Sequence, residues 1–283
     1  MEVVITKSAG FCFGVKRAVA LAEKAARENT GKVYTLGPLI HNPQVVRKLE
    51  EAGVTQISSL NEIKEGVCIL RSHGVTAGEL EEARRKGLTI VDATCPFVTK
   101  SQKLIRKLIS DGYFVLIVGD EKHPEVKSLL SYSDPARVKA VRSVGDLDSL
   151  KWVKKMAILA QTTQPLSLFK EILAFAVTKA KELRVFNTIC DATTLRQDES
   201  VLLAPRVDCI FVVGGKTSSN TRKLADACSA VNPKTYHIEE PDDINPAWLN
   251  GAERIGITAG ASTPRWLVQE VAVRVRKFKD IHP

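Results

Sequence analysis

Short runs of β-branched and aliphatic residues alternate along this chain with stretches in which apolar residues recur every three or four positions. The runs predict strands over Val3–Thr6, Val33–Leu36, Val67–Arg71, Thr89–Asp92, Phe114–Gly119, Val138–Val141, Met156–Ala160, Arg184–Thr188, Cys209–Val213, Lys234–His237 and Arg254–Thr258. The periodic stretches predict helices over Val15–Glu28, Gly78–Lys86, Val98–Ser110, Leu166–Glu182, Ser219–Val231 and Thr263–Lys277. Strand followed by helix, repeated, is the order of parallel sheets covered by helices. So many short strands are too many for one compact sheet and point to several small α/β units. No low-complexity linker separates them, and the basic stretch Arg274–Lys279 reads as the solvated end of the last helix.

One local pattern occurs three times. VVITKSAGF leads to Cys12, LTIVDAT to Cys95 and RVFNTI to Cys190. Each is a strand, a short turn of small or polar residues, a cysteine, and then a helix. This predicts three α/β units, spanning 1–95, 96–189 and 190–283, with the N-terminal strand able to pair with the third unit. Ligands of open α/β sheets bind outside the carboxyl ends of strands. A helix N-terminus there lowers a thiol's pKa and favours the metal-binding thiolate. Cys68 and Cys209 lie inside strand runs and Cys228 inside a helical pattern, where cysteine serves as a small buried hydrophobe.

Other polar residues share that place. His41 (LGPLIHNP), His73 (LRSHG), His123 and Glu125 (GDEKHPE), Thr162 and Thr163 (AQTTQP), Ser218, Ser219 and Asn220 (VGGKTSSN) and Ser262 (TAGAST) all follow strand runs. Pro43, Pro124 and Pro264 mark helix starts close behind them. Free N–H groups at such starts favour anions. His237 and His282 lie in contexts without this signal. A pocket holding three thiolates, three imidazoles and a carboxylate suits a metal cluster beside an anionic substrate.

Composition narrows the chemistry. With 41 Lys and Arg against 32 Asp and Glu, the net charge is +9, which favours anionic partners. Aromatic residues are only 6% of the chain, and no aromatic-interleaved basic patch or nucleic-acid motif is visible, so nucleic acid is not the expected anion. The start MEVVITKS lacks the basic, long-apolar form of a secretory leader, and no run spans a bilayer. A cytoplasmic, reducing location is therefore expected, with structural disulfides disfavoured. There is no CxxC pair, so any metal is held from distant parts of the chain. Three thiolates can close a zinc site, or hold a [3Fe–4S] cluster or three corners of a [4Fe–4S] cluster. In the last case the fourth iron is left as a Lewis acid. His41, His73 and His123 could donate to phosphate, and Glu125 could supply protons.

As an ordered set, GFCFGVKRAV at 10–19, GPLIHNP at 37–43, RSHG at 71–74, DATCP at 92–96, HPEV at 123–126, AQTT at 160–163, TIC-x-AT at 188–193, SSNT at 218–221 and TAGAST at 258–263 resemble the LytB family of 4-hydroxy-3-methylbut-2-enyl diphosphate reductases. The resemblance implies a trefoil of three pseudo-symmetric α/β units around a central iron–sulfur site. Cys12, Cys95 and Cys190 would hold a [4Fe–4S] cluster, with the substrate alcohol at the iron lacking a protein ligand. By similarity His41, His73, His123, Ser218, Ser219, Asn220 and Ser262 bind the diphosphate. Glu125 is the implied proton source, with Thr162 beside the alcohol as a relay. The implied reaction is a two-electron reductive dehydroxylation giving isopentenyl and dimethylallyl diphosphate, the last step of the methylerythritol phosphate route to isoprenoids. A monomer is implied, with electrons arriving from a ferredoxin or flavodoxin system, since no flavin or nicotinamide fingerprint is present. Two departures stand out: Ser128 where the family often has glycine, and Thr217 where it often has asparagine.

Other readings of the same residues are a redox-neutral hydro-lyase, a zinc hydrolase of phosphorylated metabolites, and a non-enzymatic nucleic-acid binder. The first differs by needing no electrons and the second by its metal. The third rests on charge alone.

Overall fold

Parallel pairing gathers the strands into three four-stranded sheets in the computed structural model of the chain, which describes residues 1–29 and 31–281, with side chains to Phe278. His282 and the Lys279 side chain lie outside the described residues. One sheet is built from β2 (Val33–Leu36), β3 (Val54–Ile57), β4 (Val67–Leu70) and β5 (Thr89–Asp92), in the spatial order β3-β2-β4-β5. The next uses β6 (Phe114–Val118), β7 (Val138–Val141), β8 (Val153–Ala160) and β9 (Ala180–Phe186), in the order β7-β6-β8-β9. The third uses β10 (Cys209–Val213), β11 (Thr235–Ile238) and β12 (Arg254–Ala259), in the order β11-β10-β12, and its outer place is taken by β1 (Glu2–Ile5). The three orders are one order. The first strand lies inside, the second outside it, the third on the first strand's other side and the fourth beyond that. In the last sheet the fourth strand comes from the N-terminus, with Val3 beside Ile255 and Ile5 beside Ile257.

Nine α-helices are described: α1 (Phe13–Glu28), α2 (Pro43–Glu51), α3 (Ala77–Arg85), α4 (Pro96–Ser110), α5 (Pro124–Ser131), α6 (Leu166–Ala176), α7 (Asp191–Leu203), α8 (Ser219–Ser229) and α9 (Arg265–Ile281). Inner strands are apolar on both faces because helices cover both. Along β10, Cys209, Phe211 and Val213 pack towards Val271 and Val275 of α9. Ile210 and Val212 face the opposite way, into a cluster with Leu224 and Cys228 of α8. β6 alternates likewise: Leu116 and Val118 join Phe169 and Ile172 of α6, while Val115 and Ile117 join Ile105 of α4 and Val126 of α5.

The structure adds α2, α5 and α7 to the six predicted helix ranges, and two further features depart from the sequence expectation. β3 reads VTQI, with two exposed polar residues between buried ends, too weak an alternation to stand out. The helix predicted over Leu166–Glu182 stops at Ala176. A 3-10 turn follows over Val177–Lys179, and Ala180–Phe186 run beside β8 from Val153 to Leu159. Helical propensity in AKELRVF gives way to pairing with the open edge of an eight-residue strand.

The chain divides into two compact units. One comprises residues 1–15, 41–45 and 191 onward, around the β11-β10-β12-β1 sheet. The other comprises Lys16–Ile40 and Val46–Cys190 and holds the remaining two sheets. No helix among the described residues is long and apolar enough to cross a membrane.

Within the first unit, a Cβ at Gly260 would lie 2.0 Å from the Thr221 hydroxyl oxygen, which is fully buried on α8. Gly260→Ala is expected to destabilise the chain by about 2 kcal/mol, the cost of overpacking a rigid interior. Adding Thr221→Ala should recover part of the loss, and chemical denaturation of the single and double variants checks it.

Candidate active site

Equivalent places in the three sheets carry the chemistry. The first strand is followed, at one and the same interval, by His41 after Leu36, His123 after Val118 and Ser218 after Val213. The third strand is followed by His73, Thr162 and Ser262. The fourth is followed by Cys95, Cys190 and Cys12. All nine lie beyond carboxyl ends of parallel strands, where crossover helices begin and backbone donors stand free.

In the larger unit the carboxylate of Glu125 is the most constrained group. It is 2% exposed. One oxygen accepts the backbone N–H of Thr162 at 2.7 Å and the other accepts the Thr162 hydroxyl at 2.7 Å. The carbonyl of Thr162 in turn accepts the N–H of Cys190 at 2.9 Å, so the carboxylate, the hydroxyl and the Cys190 backbone share one run of contacts. His123 caps α5, and its Nδ1 accepts the N–H of Glu125 at 3.1 Å. That bond leaves the ring proton of the neutral imidazole on Nε2. His73 meets His123 edge to face, with ring centroids 5.6 Å apart. Cys95 caps α4 in extended backbone, without a side-chain capping bond, and its N–H reaches the carbonyl of Ser72 at 2.9 Å. Cys95 is thereby tied to the residue before His73. Thr163 accepts from the Gln161 side chain at 3.0 Å. Ser128 is fully buried on an intact α5: its hydroxyl donates to the carbonyl of Val75 and accepts from Gln102, both at 2.8 Å.

In the smaller unit Cys12 donates its N–H to the carbonyl of Ala261 at 3.0 Å, and its sulfur accepts the N–H of Val15 at 3.5 Å. The next residue, Ser262, donates its hydroxyl to the carbonyl of His41 at 3.2 Å. The same carbonyl fills the space a Cβ would need at Gly215, 2.5 Å away. Ser218 caps α8, accepting the N–H of Thr221 at 3.3 Å. Ser219 opens the same helix and is buried, and Thr217 is exposed. The Nδ2 of Asn220 is buried and donates to no group among the described residues. A buried donor without an acceptor is costly. An anionic ligand at this helix start would satisfy it.

The remaining cysteines behave as structural thiols. Cys68, Cys209 and Cys228 are fully buried, and burial pushes their pKa up to about 11, about 11 and about 12. Cys12, Cys95 and Cys190 are only half-buried. Sequence reasoning gave His237 no place here, yet its Nε2 lies 2.8 Å from the carbonyl of Gly214, just before the Ser218 loop.

The fold and these residues define an α/β protein that arrays thiols, imidazoles, hydroxyls and one buried carboxylate at the ends of three equivalent parallel sheets. The profile of the family described as LytB protein matches residues 3–276. A 4-hydroxy-3-methylbut-2-enyl diphosphate reductase of Geobacter sulfurreducens is 51% identical over 278 residues, covering 98% of each chain. The enzyme of that name from Trichlorobacter lovleyi is 47% identical over the whole of both chains. Among solved structures, an (E)-4-hydroxy-3-methyl-but-2-enyl diphosphate reductase, described as the terminal enzyme of the non-mevalonate pathway, is 44% identical. It has a TM-score of 0.72 and is covered over 98% of this chain and 100% of its own. The Plasmodium falciparum E-1-hydroxy-2-methyl-but-2-enyl-4-diphosphate reductase gives a TM-score of 0.92 at 27% identity, over 96% of this chain and 87% of its own. The chain belongs to the LytB family.

The contrast among the thiols predicts their reactivity. In metal-free protein at pH 8, iodoacetamide should modify Cys12, Cys95 and Cys190. Cys68, Cys209 and Cys228 should be spared until denaturant is added, since a thiol with a pKa near 11 is about one-thousandth thiolate at that pH. Mass spectrometry of the digested protein reads both sets.

Proposed function

We propose that this chain reduces (E)-4-hydroxy-3-methylbut-2-enyl diphosphate to isopentenyl and dimethylallyl diphosphate, the closing step of the methylerythritol phosphate route to isoprenoids. Substrate, two electrons and two protons give the product diphosphate and water. The carbon–oxygen bond of the allylic alcohol breaks, and a carbon–hydrogen bond replaces it. The observation that carries this reading is the buried Glu125–Thr162 pair beside Cys190. A departing hydroxide needs a proton delivered where water is excluded, and a carboxyl held through both oxygens beside a hydroxyl is suited to deliver one.

Three half-buried cysteines at equivalent strand ends fit a metal centre that lacks a fourth protein ligand. Cys12, Cys95 and Cys190 would hold it as a [4Fe–4S] cluster. Such a cluster, when bound, supplies electrons singly and a Lewis-acidic iron. The chain's other residues do the rest. Ser218, Ser219, Asn220, Ser262 and the His41 segment bind the diphosphate, with the buried Asn220 amide as a ready donor. His123 offers Nε2–H, since its Nδ1 is engaged by the backbone. His73 stands against it as a further donor. Binding energy from the diphosphate, remote from the breaking bond, orients the alcohol. Thr162 faces that alcohol, and Glu125 passes the proton through or alongside the Thr162 hydroxyl. The donor system is a reduced ferredoxin or flavodoxin, the compartment the reducing cytoplasm, and the acting species a monomer. The domain organisation that goes with this reading is three α/β units, 1–95, 96–189 and 190–283, with the N-terminal strand serving the last.

Protein purified without oxygen should contain about four iron and four sulfide per chain. It should form both products only when reductant is present. Product without reductant, or one zinc and no sulfide, would overturn the reading. Glu125→Gln should lower turnover by about 10²-fold or more, the scale of a lost general acid. Its iron content and cluster spectrum should be unchanged, and near-normal turnover would remove Glu125 from the mechanism.

A further inference from the structure

The loop from Gly214 to Ser218 is suspended from the end of β11. Parallel register places Val212 beside His237 and Val213 beside Ile238. The last ladder bond runs from the N–H of Gly214 to the carbonyl of Ile238 at 2.8 Å. Two side chains then carry the attachment beyond the sheet. Nε2 of His237 reaches the carbonyl of Gly214 at 2.8 Å, and a carbonyl can only accept, so this nitrogen carries the proton. Oε1 of Glu239 accepts the N–H of Lys216 at 2.7 Å. The N–H of Ser218 closes the turn on the carbonyl of Gly215 at 2.9 Å. Gly214, Lys216 and Ser218 are thus pinned, and Ser218 is itself the α8 cap.

Glu239 also reaches the segment that carries His41. Its backbone carbonyl accepts the Gln44 amide at 3.2 Å, at the start of α2. Its own N–H is fixed by Asp243 at 2.7 Å. The two segments bear directly on one another, since the carbonyl of His41 occupies the space beside Gly215. Gly214 has φ +146, and a Cβ there would lie 2.4 Å from the Thr263 hydroxyl. The loop can therefore neither lean back nor carry a side chain at these points. Its remaining freedom is rotation of the peptides after Gly214, and those are the groups His237 and Glu239 hold.

We propose that His237 and Glu239 are positioning residues for anion binding, setting the direction of the Ser218–Asn220 donors and of the His41 segment relative to each other. The inference rests on the diphosphate reading of the site. Both residues hold the loop through its backbone, at the Gly214 carbonyl and the Lys216 N–H. The His237 and Glu239 side chains are half-buried and lie outside the apolar cluster that Ile238 between them joins, so losing either leaves that cluster and the sheet in place. What they secure is orientation, which affects binding far more than folding.

The test uses the full-length holoenzyme, with two readouts: steady-state kinetics on the hydroxylated diphosphate, and calorimetric affinity for inorganic diphosphate. Glu239→Ala and His237→Phe should each raise KM about tenfold while kcat stays within about twofold, the signature of lost uniform binding. Inorganic diphosphate should weaken by the same factor. Glu239→Gln, which keeps the acceptor oxygen, and His237→Gln, which keeps an N–H donor at that reach, should restore both values. Unchanged KM and unchanged affinity in Glu239→Ala and His237→Phe overturn the proposal. So does an equal loss in the Gln and apolar variants accompanied by a lowered melting temperature, which would mark a merely structural role. If the parent protein binds inorganic diphosphate with this dependence yet reduces nothing, the positioning role stands and the reductase reading falls. If the parent binds no diphosphate, both fall.

Discussion

Parallel pairing is the constraint from which the site follows. A parallel ladder points every strand of a sheet the same way, so each return must cross over through a helix. All carboxyl ends then lie along one rim, with helix starts beside them. In this chain each sheet's rim carries candidate site residues: His41, His73 and Cys95 follow strands of one sheet, His123, Thr162 and Cys190 those of the next, and Ser218, Ser262 and Cys12 those of the third. The placement of β1 extends the rule. Joined to β12 in parallel, the N-terminal strand delivers Cys12 to the same end of its sheet as Ser218 and Ser262. The bond from Cys12 to Ala261 fixes that delivery locally.

Glycine and short polar side chains make the rim usable. A Cβ at Gly260 would lie 2.0 Å from the Thr221 hydroxyl and one at Gly214 2.4 Å from the Thr263 hydroxyl, so glycine at both lets the first and third strand ends of the sheet pack closely. In the larger unit Ser128 binds α5 to Val75, just beyond His73. There the Ser128 hydroxyl supplies a bond that a glycine could not. Such contacts contribute modestly to stability. Their larger effect is on direction, since a donor displaced by about 1 Å loses much of its use to a bound substrate.

Much of this was legible in the residues, for physical reasons. Strand runs buried on both faces stand out because helices cover both sides of parallel sheets. Cysteines after strands differ visibly from cysteines within them, and the buried thiols of Cys68, Cys209 and Cys228 agree with that distinction. What failed to show depended on partners distant in sequence. β3 is strand only because β2 lies beside it. Ala180–Phe186 leaves a helical pattern because β8 offers an open edge. His237 gave no signal because its partner carbonyl belongs to a residue brought near by strand register. The Glu125–Thr162 contact likewise joins the ends of β6 and β8, and only their pairing makes it.

The repeated topology also explains why the decoration is uneven. At the fourth-strand position all three sheets carry cysteine, whereas the first-strand position carries His41, His123 and Ser218, and the third-strand position His73, Thr162 and Ser262. A metal cluster presents like corners to its ligands, so equivalent places call for the same side chain. A diphosphate ester with an alcohol at its far end has no such symmetry. One end needs several donors to spread negative charge, and the other needs a proton at one atom. The third-strand position shows the difference most clearly, because Thr162 alone is paired with a buried carboxylate. On the proposed function, three copies of one scaffold keep sameness where the cluster is symmetric and give it up where the substrate is not. That division separates the residues expected to hold the cluster from those expected to choose the substrate.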